Sequence, residues 1–255
     1  MTIQKRLFQI DRLFISDIDN TLIGHSLSLR TLVERLEKAR DYVGFGVATG
    51  RNIDLALDVL QAWDVPMPDI FITSVGVEIN YWLDLVEDSE WKNYLNFDWD
   101  RDAVVEAMKY IPGLRLQSRE GQRRHKVSYL IDTDRSPEVD EIREHLRKLR
   151  FKVNVIFSHQ EFLDILPAGA SKGKAIEFIS NKWNIPLERI LVAGDSGNDE
   201  EMLVLENTPA VAVGNHCPEF ARVRGTPGVY FAKGHYASSI LEAMDYYKFF
   251  GQMDE

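Results

Sequence analysis

Asp17-Ile18-Asp19-Asn20-Thr21 follows the apolar run Leu13-Phe14-Ile15 without a break. A strand ending there projects two carboxylates from the carboxyl edge of a sheet, where open α/β folds gather reactive groups. Carboxylates two apart share one face of an extended chain, and a turn or bulge after Asp17 lets both reach one site. One could then attack as a nucleophile while the other moves a proton. A strand followed by a plain turn is the competing reading, because Asp, Asn and Thr all favour turns.

Three further segments fall where strands of the same sheet should end. Ala48-Thr49-Gly50-Arg51 offers a hydroxyl and backbone N–H groups that suit a phosphoryl oxygen, although a Thr before Gly also starts helices as a cap. Ala170-Ser171-Lys172-Gly173-Lys174 puts lysines at a helix start, against the dipole, which points to an anion nearby and to Lys172 rather than Lys174. Gly194-Asp195-Ser196-Gly197-Asn198-Asp199 follows the apolar run Ile190 to Ala193. Its two carboxylates and amide in a turn suit Mg²⁺, a hard cation that takes oxygen ligands.

The elements that must position these groups alternate. Leu29, Leu32, Val33 and Leu36 recur at helical spacing, as do the apolar residues from Ile53 to Trp63 and from Lys172 to Trp183. Phe45–Ala48, Ile70–Thr73, Arg189–Ala193 and Ala210–Val213 read as buried strands between them. That rhythm predicts an α/β fold with a doubly wound parallel sheet. The middle of the chain breaks it. Tyr81 to Trp99 is aromatic and acidic, and after it come a helix (Arg101–Ile111), a strand (Lys126–Ile131), a helix carrying Val139, Ile142, Leu146 and Leu149, and two strands (Val153–Phe157, Phe162–Leu166). This order predicts an α+β module inserted at about 87–167, between core segments 1–86 and 168–255.

Composition bounds the rest. The formal net charge of −10 argues against a nucleic-acid partner, which needs a basic surface. No apolar run approaches the ~20 residues of a membrane span, and Met1 to Arg6 lacks the pattern of a signal peptide. Cys217 is the single cysteine, which excludes an internal disulfide, and the expectation is a cytoplasmic protein. The six histidines show no metal-ligand spacing, so His125, His159 and His235 are expected at the surface or in hydrogen bonds.

Taken together, DIDNT, ATGR, SKGK and GDSGND resemble, in order, the motifs of the haloacid dehalogenase (HAD) superfamily of aspartate-nucleophile phosphatases, and the insert resembles that family's larger α+β cap. Within it, Asn20, Ser74-Val75-Gly76-Val77-Glu78, Lys126-Val127-Ser128-Tyr129, Phe157-Ser158, Asp164-Ile165-Leu166-Pro167 and Ser238 to Ala243 resemble the sucrose-phosphate phosphatase branch; the short tail implies the bacterial form, without the extra domain of plant members. The resemblance implies that Asp17 attacks phosphorus and that Asp19 serves as general acid and base. It implies Mg²⁺ on the Asp17 carboxylate, the Asp19 carbonyl and Asp195, with Asp199 acting through water or behind them. Thr49, Gly50, Arg51, Lys172 and Asn198 would hold the phosphoryl group or orient the nucleophile. Ser74, Glu78 and Lys126 are candidates for sugar hydroxyls; one of Trp82, Trp91 and Trp99 could stack on a sugar face, although core or hinge packing is the favoured role of each. The implied substrate is a phosphorylated sugar, sucrose 6-phosphate first, with mannosylfructose phosphate, glucosylglycerol phosphate or a broad range as alternatives. A phosphomutase, or a non-catalytic partner of a sugar-phosphate synthase, would use the same scaffold; the chain is expected to be a monomer that associates at most transiently with such a synthase.

Overall fold

The apolar runs become the inner strands of one eight-stranded sheet in the computed structural model, which describes residues 6–82 and 85–251. The amino-terminal stretch 1–5 lies outside them. In chain order the strands of this sheet are β1 (Arg12–Ser16), β2 (Val43–Ala48), β3 (Ile70–Thr73), β4 (Glu78–Tyr81) and β5 (Val86–Glu87). A second sheet uses β6 (Leu114–Leu116), β7 (Val127–Ile131), β8 (Val153–Ser158) and β9 (Phe162–Pro167), and β10 (Ile190–Gly194), β11 (Ala210–Ala212) and β12 (Val229–Phe231) return to the first. The orders are β12-β11-β10-β1-β2-β3-β4-β5 and β6-β7-β9-β8.

Strand β1 is apolar from Leu13 to Ile15 because both its faces are covered there. Leu13 and Ile15 join Ile70, Ile72, Ile190 and Val192 on one side, against helix Lys172–Trp183. Phe14 points the other way, with Phe45, Val47, Phe71 and Leu191, toward helices Ser26–Lys38, Ile53–Ala62 and Ala237–Tyr246. Two buried faces on a strand of period two demand a continuous apolar run, the pattern of a central parallel strand.

Register then delivers the chemistry. Ser16 pairs in parallel with Val47 on one side and with Ala193 on the other. The residues that follow these three strands therefore emerge together at one edge. The chain leaves β1 for β2 on one flank, while β10 occupies the other, so this edge is also the point where strand order reverses.

The sheet is not wholly parallel. β4 and β5 pair antiparallel beyond β3. The residues between β3 and β4 allow nothing else, since a parallel return needs a crossover of a dozen residues or more. Ser74, Val75 and Gly76 take φ of 55°, 66° and 96° and reverse the chain within one turn. Positive φ at a β-branched residue is strained, and this loop packs on the start of helix Lys172–Trp183.

The expected insert contains the second sheet, with its own core of Val104, Met108, Val127, Ile142, Leu146, Leu163 and Ile165. Its first expected residues behave otherwise. Trp91 and Leu95, on helix Ser89–Leu95, belong to the main core, and Trp91 Nε1 donates to the Gly76 carbonyl at 3.0 Å. Asp88 caps that helix and is gripped by Lys182 at 2.7 Å and by the Tyr81 hydroxyl at 2.8 Å. A helix with an apolar face follows whichever surface buries that face, and the sequence pattern does not say which.

A Cβ on Gly76 would lie 2.3 Å from the Ser171 carbonyl and 2.6 Å from the Lys172 amide, at a φ of +96°. Gly76→Ala should therefore cost about 2–4 kcal/mol, combining left-handed strain with overpacking. Chemical denaturation measures it, and Gly225→Ala, with open space around its Cβ, should cost only the strain of its φ.

Candidate active site

Asp17 is the first residue beyond β1, and its amide donates to the Ala193 carbonyl at 2.9 Å, extending the ladder by one bond. The chain then makes a wide turn over Ile18–Leu22 with Asp19 extended and Asn20 at φ 56°. Asn tolerates that left-handed conformation better than other residues with a Cβ. Thr21 closes the turn by donating to Asp195 Oδ1 at 3.2 Å. DIDNT is thus a turn, as the competing reading had it, and being a turn does not remove it from the sheet edge. The turn carries the two carboxylates to the edge.

Lys172 is the electrostatic centre. Its side chain is 0% exposed, and its ammonium donates to Asp17 Oδ1 at 2.7 Å and to Asp199 Oδ1 at 2.6 Å. Ser171 caps the helix by accepting from the Lys174 amide at 3.0 Å, while Lys174 itself points outward and pairs with Glu177. A buried lysine would ordinarily lose its proton, yet the two carboxylates hold its pKa above the ordinary value.

The carboxylates feel the same burial. Desolvation, then the repulsion of Asp199, outweighs Lys172 and pushes Asp17 up to about 7. Desolvation with Asp17 and Asp199 beside it pushes Asp195 up to about 9. Asp199 is spoken for: Oδ2 accepts from the Asp195 and Ser196 amides at 3.0 and 3.2 Å and Oδ1 from Lys172. Oxygens of Asp17, Asp195 and Asp199 all lie within 4.8 Å of one another. An all-oxygen set of buried carboxylates, with more negative charge than one lysine balances, fits a hard divalent cation.

Around this cluster opens a cleft of about 570 Å³ between the main sheet and the cap, within the usual range for small-molecule sites. Asp17, Asp19, Thr49, Gly50, Arg51, Ser74 and Asn198 line it from the core and Lys126 from the cap. The helix-cap role considered for Thr49 belongs to Asn52, which accepts from the Leu55 amide at 3.0 Å. Thr49 is left at the floor of the cleft, 1% exposed. Asn198 sits beside it with Oδ1 buried and without a hydrogen-bond partner. Arg51 forks onto Asp19, Nε to Oδ2 at 2.7 Å and an Nη to Oδ1 at 2.9 Å.

Several expectations change. Glu78 does not line the cleft; it accepts from the Ser74 hydroxyl at 2.7 Å and faces Arg123 at 3.4 Å, so it holds Ser74 from behind. None of Trp82, Trp91 and Trp99 lines the cleft, which leaves the packing role favoured for them: Trp91 is core, and Trp99 Nε1 donates to the Arg124 carbonyl. Phe162 is the aromatic ring in the cleft wall. His125 is buried and bonded to Asn96, and His159, hydrogen-bonded as one of its two expected roles, also reaches the cleft from the turn between β8 and β9. Gln117, Ser118 and Glu120, on a loop without any motif, complete the cap wall with Ser158 and Asp164. Asp164 is joined to Ser128 and lies 3.7 Å from Lys126 Nζ, which turns that lysine into a fixed donor.

The main sheet and its edge have the core fold of the haloacid dehalogenase superfamily. A haloacid dehalogenase-like hydrolase of Bacillus subtilis superposes with a TM-score of 0.65 at 20% identity over 94% of this chain and 93% of its own, a likeness of fold. The chain belongs to the sucrose-6F-phosphate phosphohydrolase family, whose model matches residues 10–248. A sucrose-phosphatase of Synechocystis sp. PCC6803, solved in complex with sucrose and phosphate, is 32% identical, with a TM-score of 0.89 over 94% of this chain and 98% of that one. Sucrose-phosphatase 2 of Nicotiana tabacum is 33% identical over 91% of this chain but 58% of its own length. The chain likewise spans 61% of a similar Arabidopsis thaliana protein. Mannosylfructose-phosphate phosphatase of Agrobacterium fabrum is 26% identical over 91% of this chain and 95% of its own.

Two outcomes follow from the charge balance of the metal-free protein. A carboxyl whose pKa is raised by folding binds more protons folded than unfolded between its two pKa values, so stability falls as pH rises through that window. With unfolded values of about 3.9, the contribution of Asp17 and Asp195 should erode from about pH 4 to about pH 9. Melting curves in chelator should show the decline, and saturating Mg²⁺ should stabilise the protein more at pH 8 than at pH 5. Lys172→Met should cost about 3–5 kcal/mol at pH 8 because it strands buried carboxylates. The same substitution should cost less at pH 5, where protons take the lysine's place.

Proposed function

We propose that this chain is a Mg²⁺-dependent phosphatase that hydrolyses sucrose 6-phosphate to sucrose and phosphate. One observation carries the reading. A single cleft joins an anion-handling end (Asp17, Asp19, Thr49, Asn198) to a hydroxyl-binding end (Gln117, Glu120, Lys126, Asp164). A phosphorylated disaccharide has those two halves. The Synechocystis relative with sucrose and phosphate bound supports the choice of sugar.

Asp17 is the nucleophile in this reading. Lys172 takes Oδ1 and leaves Oδ2 for attack on phosphorus. The P–O bond to the sugar breaks as the aspartyl-phosphate forms, and Asp19 gives its proton to the departing sugar oxygen. Asp19 then takes a proton from the water that hydrolyses the intermediate, returning Asp17 and releasing phosphate. The Thr49 hydroxyl, the Gly50 amide and the Asn198 amide group hold the phosphoryl oxygens, while Lys172, buried behind the cleft, orients Asp17 and offsets its charge, because phosphoryl transfer is mostly positioning and charge stabilisation. Bound at Asp17 and Asp195, with Asp199 behind them and the Asp19 carbonyl available, Mg²⁺ would supply charge neutralisation for the dianionic substrate.

Arg51 sets the order of events. Its pair with Asp19 is about a third exposed on both sides, 35% and 39%, and such pairs hold weakly. A phosphoryl dianion competes well for a guanidinium fork. Substrate binding thereby draws Arg51 off Asp19, whose carboxylate then takes up a proton from solvent and can pass it to the departing oxygen. The cap residues then discriminate by leaving their polar groups unpaired when a sugar ring is missing.

Mannosylfructose phosphate is the second reading, because the Agrobacterium relative matches over nearly its whole length. A phosphate-release panel decides. Sucrose 6-phosphate should exceed glucose 6-phosphate and fructose 6-phosphate in kcat/KM by at least ~10²-fold. Equal rates would mean a broad sugar phosphatase, and preference for mannosylfructose phosphate would keep the chemistry and change the sugar. Asp17→Asn should fold normally and lose roughly 10⁴- to 10⁶-fold in kcat; retention of a few per cent of turnover would remove Asp17 as nucleophile.

A further inference from the structure

A second set of metal-ligating side chains converges beside the carboxylate cluster, on the opposite face of Asp195 from Thr21's bond. His159, Cys217 and Asp195 each offer an atom within 4.8 Å of the other two. His159 Nδ1 lies 3.4 Å from Cys217 Sγ, which lies 4.0 Å from Asp195 Oδ2. A tetrahedral ion with bonds of about 2.0–2.1 Å to nitrogen and oxygen and about 2.3 Å to sulfur spaces its ligand atoms about 3.5 Å apart. The His159–Cys217 and Cys217–Asp195 separations lie within about half an ångström of that spacing, and the third pair, His159 and Asp195, lies within 4.8 Å.

The donor chemistry differs from that of the neighbouring cluster. Asp17, Asp195 and Asp199 are all oxygen and suit a hard cation, whereas imidazole, thiolate and a single carboxylate suit a softer one of the zinc type. The two sets share Asp195, whose Oδ1 accepts from Thr21 and whose Oδ2 faces Cys217.

The set also spans the two halves of the molecule. His159 is at the tip of the cap hairpin, where His159 and Gln160 take φ of 53° and 55°. Cys217 and Asp195 are core residues, and the Cys217 amide donates to the Asp195 carbonyl at 2.8 Å. The hairpin already touches the core there. The His159 amide donates to Glu219 Oε1 at 3.0 Å, and Glu219 Oε2 is buried with no partner. At Gly197 the core backbone runs so close to the Phe157 carbonyl that a Cβ would lie 2.1 Å from it.

We propose that a zinc-type divalent cation binds at His159, Cys217 and Asp195 and pins the cap hairpin to the core, holding the cleft closed. On binding, the thiol gives its proton to solvent and the thiolate, Nδ1 and Oδ2 become ligands, leaving one position for water. The cation would act in the same way whichever sugar phosphate the cleft accepts.

Cobalt(II) tests it, as a spectroscopic stand-in for zinc. Titrated into the metal-free full chain, Co²⁺ should give a saturable sulfur-to-cobalt charge-transfer band at one ion per chain, and Zn²⁺ should bleach it. Cys217→Ser should remove the band, with Mg²⁺-supported turnover unchanged as the check on folding. His159→Gln, at a hairpin tip, should weaken Co²⁺ binding by at least about tenfold. Hydrogen exchange at 157–162 should slow on adding Zn²⁺ to the wild type but not to Cys217→Ser. Absence of the band would overturn the proposal, as would His159→Gln affinity equal to wild type, or hairpin exchange indifferent to Zn²⁺.

Discussion

Everything at the active edge depends on one buried ammonium. Lys172 sits with no solvent exposure between Asp17 and Asp199, and these carboxylates have Asp195 as a close neighbour. Burying that many like charges is tolerated only with a fixed counter-charge, and a single lysine leaves the cluster negative. The residual charge is useful. It suits the edge to a divalent cation, and a cation held there would suit it to a phosphate dianion. The lysine reaches this position because helix Lys172–Trp183 starts there, capped by Ser171 and wedged against the left-handed loop at Ser74–Gly76.

That wedge ties specificity to chemistry. The loop that positions the start of the Lys172 helix also carries Ser74 into the cleft, braced by Glu78. Through the Gly76 carbonyl it also anchors Trp91, on the helix that leads into the cap. The carboxylate cluster, the cap junction and one cleft-facing hydroxyl thus share a few residues of strained backbone. Strain of this kind persists where surrounding packing over-determines it, as the buried Val75 does here. The cap closes over the same edge through Asn154, which donates to Glu201 at 2.6 Å, and through the His159 turn.

The core of the site is legible in the sequence because its residues are local to strand ends. An apolar run followed at once by Asp, Thr or Asp-containing turns states both the strand and the group it projects, so residue order alone places Asp17, Thr49 and Asp195. Lys172 is legible for a different reason. A cation at a helix start is wrong for the dipole unless an anion compensates, and the anions are Asp17 and Asp199. The antiparallel edge strands escape a sequence reading because β4 and β5 are short and the reversal at Ser74–Gly76 uses only one glycine. The cap wall escapes it more completely. Gln117, Ser118 and Glu120 lie on a loop with neither periodicity nor motif, and the β8–β9 turn at His159-Gln160 lacks the Asn-Gly that usually announces two positive φ values.

Local order along the chain therefore determined the α/β alternation, the presence of an inserted module and the groups at the carboxyl edge, because each is written in consecutive residues. Only the tertiary structure decided which side chains face one another across the cleft. It turned Glu78 from a sugar ligand into a brace for Ser74, buried Trp91 in the main core, set Arg51 on Asp19 and brought His159 to Cys217. Those partners are 4, 32 and 58 residues apart, or lie on different layers. A sequence fixes the period of a strand or helix through backbone geometry. The meeting of two loops from different layers depends on how those layers pack, and no local pattern encodes that.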